Sequence, residues 1–342
     1  MPNDVRNGYA IDEQRQDVSA HRPHVVVLGA GASLQAFPNG DKHGKRLPLM
    51  NNIIYILELG NILKSYGVEY RNENLEVIYD EFSFQPRMND LKEILERKIF
   101  TYFSSLEIPD EPTIYDYLVL SLRSMDIIAT FNWDPFLVQA YQRNGKVADL
   151  SELAFLHGNV EIGWCKDDMI KMMWVDNCPK CGNELIPTRL LYPVSEKDYS
   201  ADPFIKGEWE LLQYGLRNAF LLTIFGYSAP TSDVKAMELF IRSWGSPEYR
   251  QFEEIEIIDI KNSDELHETW KGLIHSYHWS GKSSFYDSML IKHPRRSVEA
   301  YFQLLLMARP RQENRPPITD SWEEIRSWYK ELSKYKTIEE KD

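Results

Sequence analysis

Short apolar runs alternate along the chain with stretches in which apolar residues recur three and four positions apart. Four of the runs are rich in β-branched residues and lead into small or polar residues, which is typical of buried parallel strands. Helical spacing lies between them, as at Leu91, Leu95 and Ile99. Strands separated by helices predict a mostly parallel, doubly wound α/β sheet. The predicted strands are 24–28, 126–130, 220–225 and 254–260.

The same pattern divides the chain into regions. The first residues are polar and mixed in charge, so we expect a flexible arm. Residues 151–200 contain many turn residues and are expected to be irregular, whereas helices are expected near 296–308 and 320–334. The predicted regions are an N-terminal arm (1–22), an α/β domain (23–295) with a helical insertion (50–125) and a small cysteine-bearing module (160–190), and C-terminal helices suited to assembly contacts (296–342).

Composition and charge narrow the class of protein. The chain has 342 residues, of which 43% are hydrophobic, enough for a large core. Its 39 basic and 52 acidic residues give a net charge of -13, which argues against direct nucleic-acid binding by bulk charge. No apolar run approaches the roughly 18 residues of a membrane span, and the first residues lack the apolar core of a signal peptide. We therefore expect a cytoplasmic protein.

A glycine turn follows the first predicted strand directly, with Gly29, Ala30, Gly31 and Ser33. Glycines permit a tight turn and a close approach of the backbone to phosphate, and the N–H groups of the next helix then face the anion. Leu34 stands where the usual dinucleotide fingerprint has its third glycine, and no Gly-Lys-Ser/Thr of a P-loop follows. The turn predicts a diphosphate site, with a plain strand-to-helix turn as the alternative.

Small or hydrogen-bonding residues also follow the other three predicted strands. Ligands of open α/β sheets bind at the carboxyl ends of the strands, and an acidic residue there can bind ribose hydroxyls. Asparagine and aspartate are also common in turns and helix caps, which is the alternative for each of them. The candidates are Asn132 and Asp134 after the second strand, Gly226 and Ser228 after the third, and Asp259 after the fourth.

One histidine, His157, stands beside Gly158 after an apolar segment. Histidine exchanges a proton near neutral pH, so it suits a general base. A structural histidine is the alternative.

The cysteines predict a metal site. A sparse, odd number of cysteines argues for a reducing compartment and against a disulfide framework. Cys178 and Cys181, followed by glycine, have the spacing of half a zinc ribbon, and Cys165 offers a third ligand. Asp168 stands where a fourth cysteine would fall. A structural zinc is predicted, and a metal-free remnant of such a site stays open.

In this order, the segments 29–33, 130–134, 156–158 and 226–228 resemble motifs of the sirtuins. Sirtuins carry Gly-Ala-Gly-x-Ser, Thr-Gln-Asn-x-Asp, His-Gly and a late Gly-Thr-Ser. The match is closer to prokaryotic sirtuin-like proteins, many of which act in antiphage defence. Those often add a Trp-x-Cys segment, Cys-Pro-x-Cys-Gly, Lys-Asp-Tyr and Gly-Tyr-Ser-x-Pro. The resemblance covers roughly residues 24–262, and its further counterparts here are Trp164 and Cys165, 178–182, 197–199 and 226–230.

The resemblance implies a Rossmann-type sheet with a helical insertion and a zinc-ribbon-like module, and it implies that NAD is the substrate. It also implies a role for each matching residue. Gly29, Ala30, Gly31 and Ser33 would hold the diphosphate, Asn132 and Asp134 would face the nicotinamide ribose, His157 would be the general base, and Gly226, Ser228 and Asp259 would line the adenosine end.

Two departures from the sirtuin pattern bear on the activity. Deacylases follow the glycine turn with Gly-Ile-Pro-Asp-Phe-Arg, whereas this chain has Phe-Pro-Asn-Gly-Asp at 37–41, and 191–196 shows no counterpart of the acyl-lysine groove. We therefore expect hydrolysis of NAD to nicotinamide and ADP-ribose or a cyclic form. The alternatives are a deacylase or ADP-ribosyltransferase, and a non-catalytic sensor of NAD or ADP-ribose.

Cleavage of NAD would have to be restrained in the cell. We expect gating by assembly, through self-oligomerisation or through an ATPase or nucleic-acid-sensing partner protein, as the resemblance to defence proteins implies. No membrane partner is expected.

Overall fold

A computed structural model describes residues 13, 15–70, 74–174, 177–194, 197–230, 233–246, 248–274 and 278–334. The strands of this part of the chain are β1 (His24–Leu28), β2 (Ile127–Thr130), β3 (Glu152–Phe155), β4 (Ile162–Cys165), β5 (Ile170–Met173), β6 (Ile186–Pro187), β7 (Leu221–Phe225), β8 (Glu254–Ile258) and β9 (Trp279–Lys282).

The helices fill the intervals between the strands and the end of the chain. They are α1 (Ala30–Ala36), α2 (Ile53–Ile56), α3 (Gly60–Ser65), α4 (Leu75–Ser83), α5 (Asn89–Ser104), α6 (Ile114–Ser121), α7 (Phe136–Asn144), α8 (Pro203–Asn218), α9 (Val234–Trp244), α10 (Ser263–Trp270), α11 (Met289–Lys292), α12 (Ser297–Met307) and α13 (Trp322–Lys334), with short 3-10 turns at Pro86–Met88 and Phe285–Asp287.

Six strands form one sheet in the order β3-β2-β1-β7-β8-β9, and every neighbouring pair is parallel. All five residues of β1 and of β7 are buried, because helices cover both faces of a doubly wound sheet. The predicted α/β class is confirmed. A separate antiparallel sheet, β5-β4-β6, carries the cysteines.

The strand order fixes where a ligand would bind. Counting the strands of the large sheet along the chain, the order reads 3-2-1-4-5-6, which is the Rossmann arrangement. The direction of winding reverses between β1 and β7, so the connections leave these neighbours on opposite sides. A crevice therefore opens outside their carboxyl ends, where ligands of such sheets bind.

Residues 151–200 differ from the irregular structure predicted for them, because they contain β3, β4, β5 and β6. The prediction missed β3 because its four residues lack β-branched side chains and begin with the exposed Glu152. Pairing with the buried β2 makes it a strand. The edge strand β9 was missed for a similar reason, since it is only half-buried and contains Gly281.

The N-terminal arm also differs from its prediction over the part that the structure describes. Residues 15–21 are helical, while 1–12 and 14 lie outside the described residues. Arg22 donates hydrogen bonds to the carbonyl oxygens of Asn218 and Ala219 and pairs with Glu253. These contacts fix the end of the arm to α8 and β8.

Helices α2 to α6 fall within the predicted insertion, and α12 and α13 confirm the two predicted C-terminal helices. The division into domains and the assembly contacts stay predictions. Among the described residues, none of the helices has the length and apolar character needed to cross a membrane.

Candidate functional site

The turns after β1 and β7 interlock at the switch point of the sheet. The amide of Gly29 donates to Phe225 O and that of Gly31 to Gly226 O, each at 2.9 Å. A Cβ on Gly29 would lie 2.5 Å from Gly226 O, and one on Gly226, whose φ is +63°, would lie 2.1 Å from Ala32 N. The glycines are therefore required by the contact of one turn with the other. Their predicted contact with a diphosphate stays a prediction.

Four polar side chains form a buried cluster beneath these turns. The Ser33 hydroxyl donates to Asp134 Oδ2 at 2.8 Å, and it lies 2.7 Å from the Tyr115 hydroxyl. Asn132 Nδ2 donates to Ser33 Oγ at 3.0 Å. A hydroxyl can donate one hydrogen bond and accept two, so these three contacts use the full capacity of Ser33. We call Ser33, Tyr115, Asn132 and Asp134 the hub.

The orientation of the Asn132 amide follows from its partners. Its Nδ2 also donates to Gly29 O at 3.0 Å, and a backbone carbonyl oxygen can only accept. The nitrogen must therefore face the glycine turn, which leaves Oδ1 on the other side of the amide. Among the described residues Oδ1 has no donor. Asn132 thus offers an acceptor to a ligand at the end of β2.

Asp134 carries a buried charge without a counter-ion. Its side chain is 4% exposed, and Oδ1 accepts only a long 3.3 Å bond from Phe136 N at the start of α7. In the described part of the chain no basic side chain pairs with it, and burial raises its pKa to about 6. Asp134 therefore caps α7 weakly through Oδ1, as the alternative interpretation predicted, but its Oδ2 accepts from Ser33 in the hub.

The loop after β3 is tied to the loop after β2. Asn159 Nδ2 donates to Asp134 O at 2.8 Å and to Asn132 O at 3.4 Å. The His157 ring meets Phe131 edge-on, with 4.8 Å between ring centroids. The predicted residues Asn132, Asp134 and His157 therefore lie on two adjoining loops at the carboxyl edge of the sheet.

His157 is neutral at physiological pH. Burial lowers its pKa to about 3, and the nearby positive charge of Lys197 adds to the effect. Its Nε2 lies 3.5 Å from the Tyr199 hydroxyl. The imidazole therefore has a free lone pair over the whole neutral pH range, as a proton acceptor requires.

A buried ion pair between Lys197 and Asp233 lies beside His157. The Tyr227 hydroxyl donates to Asp233 Oδ2 at 2.9 Å, and the Tyr227 ring stacks on Phe131 at 4.0 Å. Burial alone would raise the pKa of Asp233, but the charge of Lys197 and the hydrogen bonds from Lys197 and Tyr227 outweigh burial and lower that pKa. We call Lys197, Asp233, Tyr199 and Tyr227 the clasp, since it joins 197–199 to the loop after β7 over the ends of the strands.

Sequence analysis missed Tyr115 and Asp233. It gave neither residue a role. A tyrosine on an apolar helix face gives no sign that its hydroxyl meets a serine 82 positions away. The Lys-Asp-Tyr motif at 197–199 was a signal for the clasp, but it did not reveal the partner of the lysine.

The residues predicted for the adenosine end lie at the carboxyl ends of β7 and β8. Ser228 is exposed, whereas Asp259 is partly buried and its Oδ1 accepts from Lys261 N at 3.0 Å. Ala30 is exposed at the start of α1. The structure brings these residues to the edge where the hub lies, and their contacts with a ligand stay predictions.

The three cysteines come together with Asp168 at the small antiparallel sheet, where Cys165 ends β4 and the other three residues lie in the loops between its strands. Their potential ligand atoms lie within 4.8 Å of one another, and Cys178 Sγ lies 3.1 Å from Asp168 Oδ2. Gly182 N donates to Cys178 O at 2.8 Å, which closes the turn between Cys178 and Cys181. Three thiolates and a carboxylate fit a tetrahedral zinc ion, and four protein ligands make such a site structural.

Replacing Asp168 by asparagine is expected to weaken zinc binding at least tenfold, because the fourth ligand loses its charge. The control is Asp167→Asn, since the Asp167 side chain bonds only to Asn183 among the described residues. Plasma mass spectrometry should find one zinc per chain in the wild type and in the control. A wild type purified without chelator that contains no zinc would contradict the site.

Strand order and polar side chains together define a doubly wound α/β protein with a candidate ligand site at the switch point of its sheet. No family model matches the chain, and no curated protein is similar to it. Among solved structures, it is similar to the complex of a Sir2 homologue with NAD, at 12% identity and a TM-score of 0.39, over 87% of this chain and 94% of that one.

Two further solved structures are similar to the chain. A mutant Sir2 homologue in complex with ADP-ribose has 12% identity and a TM-score of 0.37, over 88% of this chain and 99% of that one. A Sir2 protein bound to an acetylated peptide has 12% identity and a TM-score of 0.35, over 87% and 98%. This likeness is too distant to assign a family, so function is inferred below from the chain's own strand order and contacts.

Proposed function

We propose that the chain binds NAD in the crevice at the switch point and hydrolyses the bond between nicotinamide and ribose. The products are nicotinamide and ADP-ribose or its cyclic form. One observation carries the proposal. Beside the point where a Rossmann-ordered sheet reverses, Asn132 presents a free amide oxygen next to the buried, uncompensated carboxylate of Asp134.

Asp134 supplies negative charge where the reaction needs it. Breaking the nicotinamide bond leaves positive charge on the ribose ring, as in other glycosidic cleavages. A carboxylate that is removed from water and lacks a cation acts strongly on such a charge, because the local dielectric constant is low. The hub holds this carboxylate before substrate arrives, so little reorganisation accompanies the reaction.

Asn132 and His157 supply the nucleophile. Asn132 Oδ1 accepts a hydrogen bond from water or a ribose hydroxyl and so fixes the position of its oxygen lone pairs. The water oxygen bonds to the anomeric carbon and its proton passes to the neutral His157. The electron pair of the broken bond stays on the nicotinamide nitrogen. The turn at Gly29, Ala30 and Gly31 brings its backbone close to the diphosphate, with the Ala30 amide as the donor because those of Gly29 and Gly31 bond to the loop after β7. Gly226, Ser228 and Asp259 face the adenosine end.

The clasp favours a second candidate function. His157 lies buried against Tyr199 and beside the Lys197–Asp233 ion pair, and its low pKa makes it a weak base. A binding protein that senses NAD or ADP-ribose without turnover would have such a site. An enzyme whose base becomes effective only after assembly would have it as well.

We further propose that the protein is a cytoplasmic, gated effector of antiphage defence. The motif resemblance and the buried His157 support this role. Self-oligomerisation, or an ATPase or nucleic-acid-sensing partner protein, would open the site. The absence of the Gly-Ile-Pro-Asp-Phe-Arg segment disfavours the deacylase alternative.

Incubation with NAD alone tests the proposal. Without any acylated peptide, we expect chromatography to show nicotinamide and ADP-ribose, or its cyclic form, in equal amounts. Nicotinamide release only after an acyl-lysine peptide is added would establish the deacylase instead. Saturable NAD binding by calorimetry with no release, even after the oligomeric state is varied and the partner protein is added, would establish the sensor.

A further inference from the structure

Tyr115 places a phenol in the hub that no step of the proposed reaction uses. Its side chain is 1% exposed, and its hydroxyl contacts both Ser33 Oγ at 2.7 Å and Asn132 Nδ2 at 3.4 Å. Since Ser33 already donates to Asp134, it must accept from Tyr115. Asn132 Nδ2 has two protons for three acceptors, Gly29 O, Ser33 Oγ and the Tyr115 oxygen, so one proton is shared. One phenol therefore contacts both Ser33 and Asn132.

The start of α6 holds Tyr115 in place. Thr113 donates to Asp116 Oδ2 through both its backbone amide and its hydroxyl, at 2.7 Å each. From the end of α7, Arg143 and Asn144 donate to Asp116 Oδ1 at 2.6 and 2.8 Å. This buried carboxylate thus joins the two helices, and the residue before it has little freedom to move.

We propose that Tyr115 is a positioning residue: its hydroxyl holds Ser33 and the Asn132 amide so that Asn132 Oδ1 stays turned towards the crevice. The proposal rests on the proposed function. Without the phenol, the Ser33 hydroxyl has one donor fewer and the second Asn132 proton keeps a single acceptor. Gly29 O and Ser33 Oγ then hold the amide less tightly, and fewer encounters with bound substrate present Oδ1 to the nucleophile.

Tyr115→Phe is expected to lower kcat for NAD cleavage about tenfold while KM stays within about twofold. The ring remains to pack on Phe37, which it meets edge-on at 5.3 Å, so the variant should fold. The control is Tyr117→Phe on the same helix, because among the described residues the Tyr117 hydroxyl bonds only to the backbone of Thr319. That variant should match the wild type in both constants.

An unchanged kcat for Tyr115→Phe, or an equal fall for Tyr117→Phe, would overturn the proposal. The crystal structure of Tyr115→Phe gives a readout that does not depend on turnover. We expect Asn132 Nδ2 to leave Gly29 O or Ser33 Oγ, and an amide that keeps both contacts would contradict the role. If the wild type releases no nicotinamide, the proposed function fails, and this structure still decides whether Tyr115 positions Asn132.

Discussion

Replacing Asn132 by aspartate is expected to lower the rate of NAD cleavage about 10³-fold, although the two side chains have nearly the same size. The aspartate cannot donate to Gly29 O or Ser33 Oγ, each 3.0 Å from the present amide nitrogen. It also places a second carboxylate beside the buried Asp134. Two such groups do not both ionise, so one takes up a proton and the charge pattern of the site is lost.

Nicotinamide release at saturating NAD measures this effect. Asn218→Asp is a matched control, because Asn218 lies at the end of α8 and, in the described part of the chain, its side chain bonds only to Tyr214 O. Thermal unfolding of both variants shows whether a loss of activity comes from the changed site or from unfolding of the chain. If Asn132→Asp kept more than a tenth of the wild-type rate, Asn132 would not be the residue that orients the nucleophile.

Replacing Asp134 by asparagine is expected to lower kcat about 10²-fold and, at the same time, to stabilise the fold at neutral pH. The pKa of Asp134 is raised from 3.8 to about 6 in the folded chain, so the native state binds this proton more tightly than the unfolded state does. The resulting destabilisation is fully present above pH 6 and is relieved as the pH falls from 6 towards 4. Two pKa units correspond to roughly 3 kcal/mol, the upper limit of the gain.

The activity of the wild type should depend on the same proton as the stability. As the pH falls, however, the activity should fall whereas the stability rises. Because the charged form of Asp134 stabilises the ribose cation, kcat/KM should fall with one-proton slope below about pH 6. The pKa of His157 is about 3, so this residue adds no slope to the pH–rate profile in this range. The activity of Asp134→Asn should not fall with pH around pH 6.

Glu256→Gln is the matched control for Asp134→Asn. Glu256 is a buried carboxyl group whose pKa burial raises to about 7, and it accepts from Met289 N away from the hub. Its replacement should likewise stabilise the fold at neutral pH but leave kcat unchanged. Equal losses of activity in the two variants would show that Asp134 acts through the fold rather than through its charge.

The elements that sequence could predict are those whose own residues specify them. The β-branched strand at 24–28 is buried in any doubly wound sheet, and the glycine turn after it needs no distant partner to be recognised. Cys178 and Cys181 likewise reveal a metal site through their spacing alone. By contrast, β3 becomes a strand only through its pairing with β2.

The contacts that sequence could not predict join residues far apart along the chain. Ser33 and Asp134 lie 101 positions apart, and Lys197 and Asp233 lie 36 apart. Periodicity and spacing give no information on such pairs, because the pairs form only when the strand order brings loop ends to one edge. The motif resemblance named Ser33 as a phosphate ligand, whereas the structure shows its hydroxyl fully engaged by the hub.

The most direct test is nicotinamide release from NAD at neutral pH without any acylated peptide, by the wild type and by His157→Ala in parallel. We predict steady release by the wild type and none above background by His157→Ala, with NAD binding by calorimetry retained in both. Equal release by the two proteins would contradict the placement of the chemistry at this edge of the sheet. Tight binding of NAD without release by either protein, in every oligomeric state, would contradict the hydrolase.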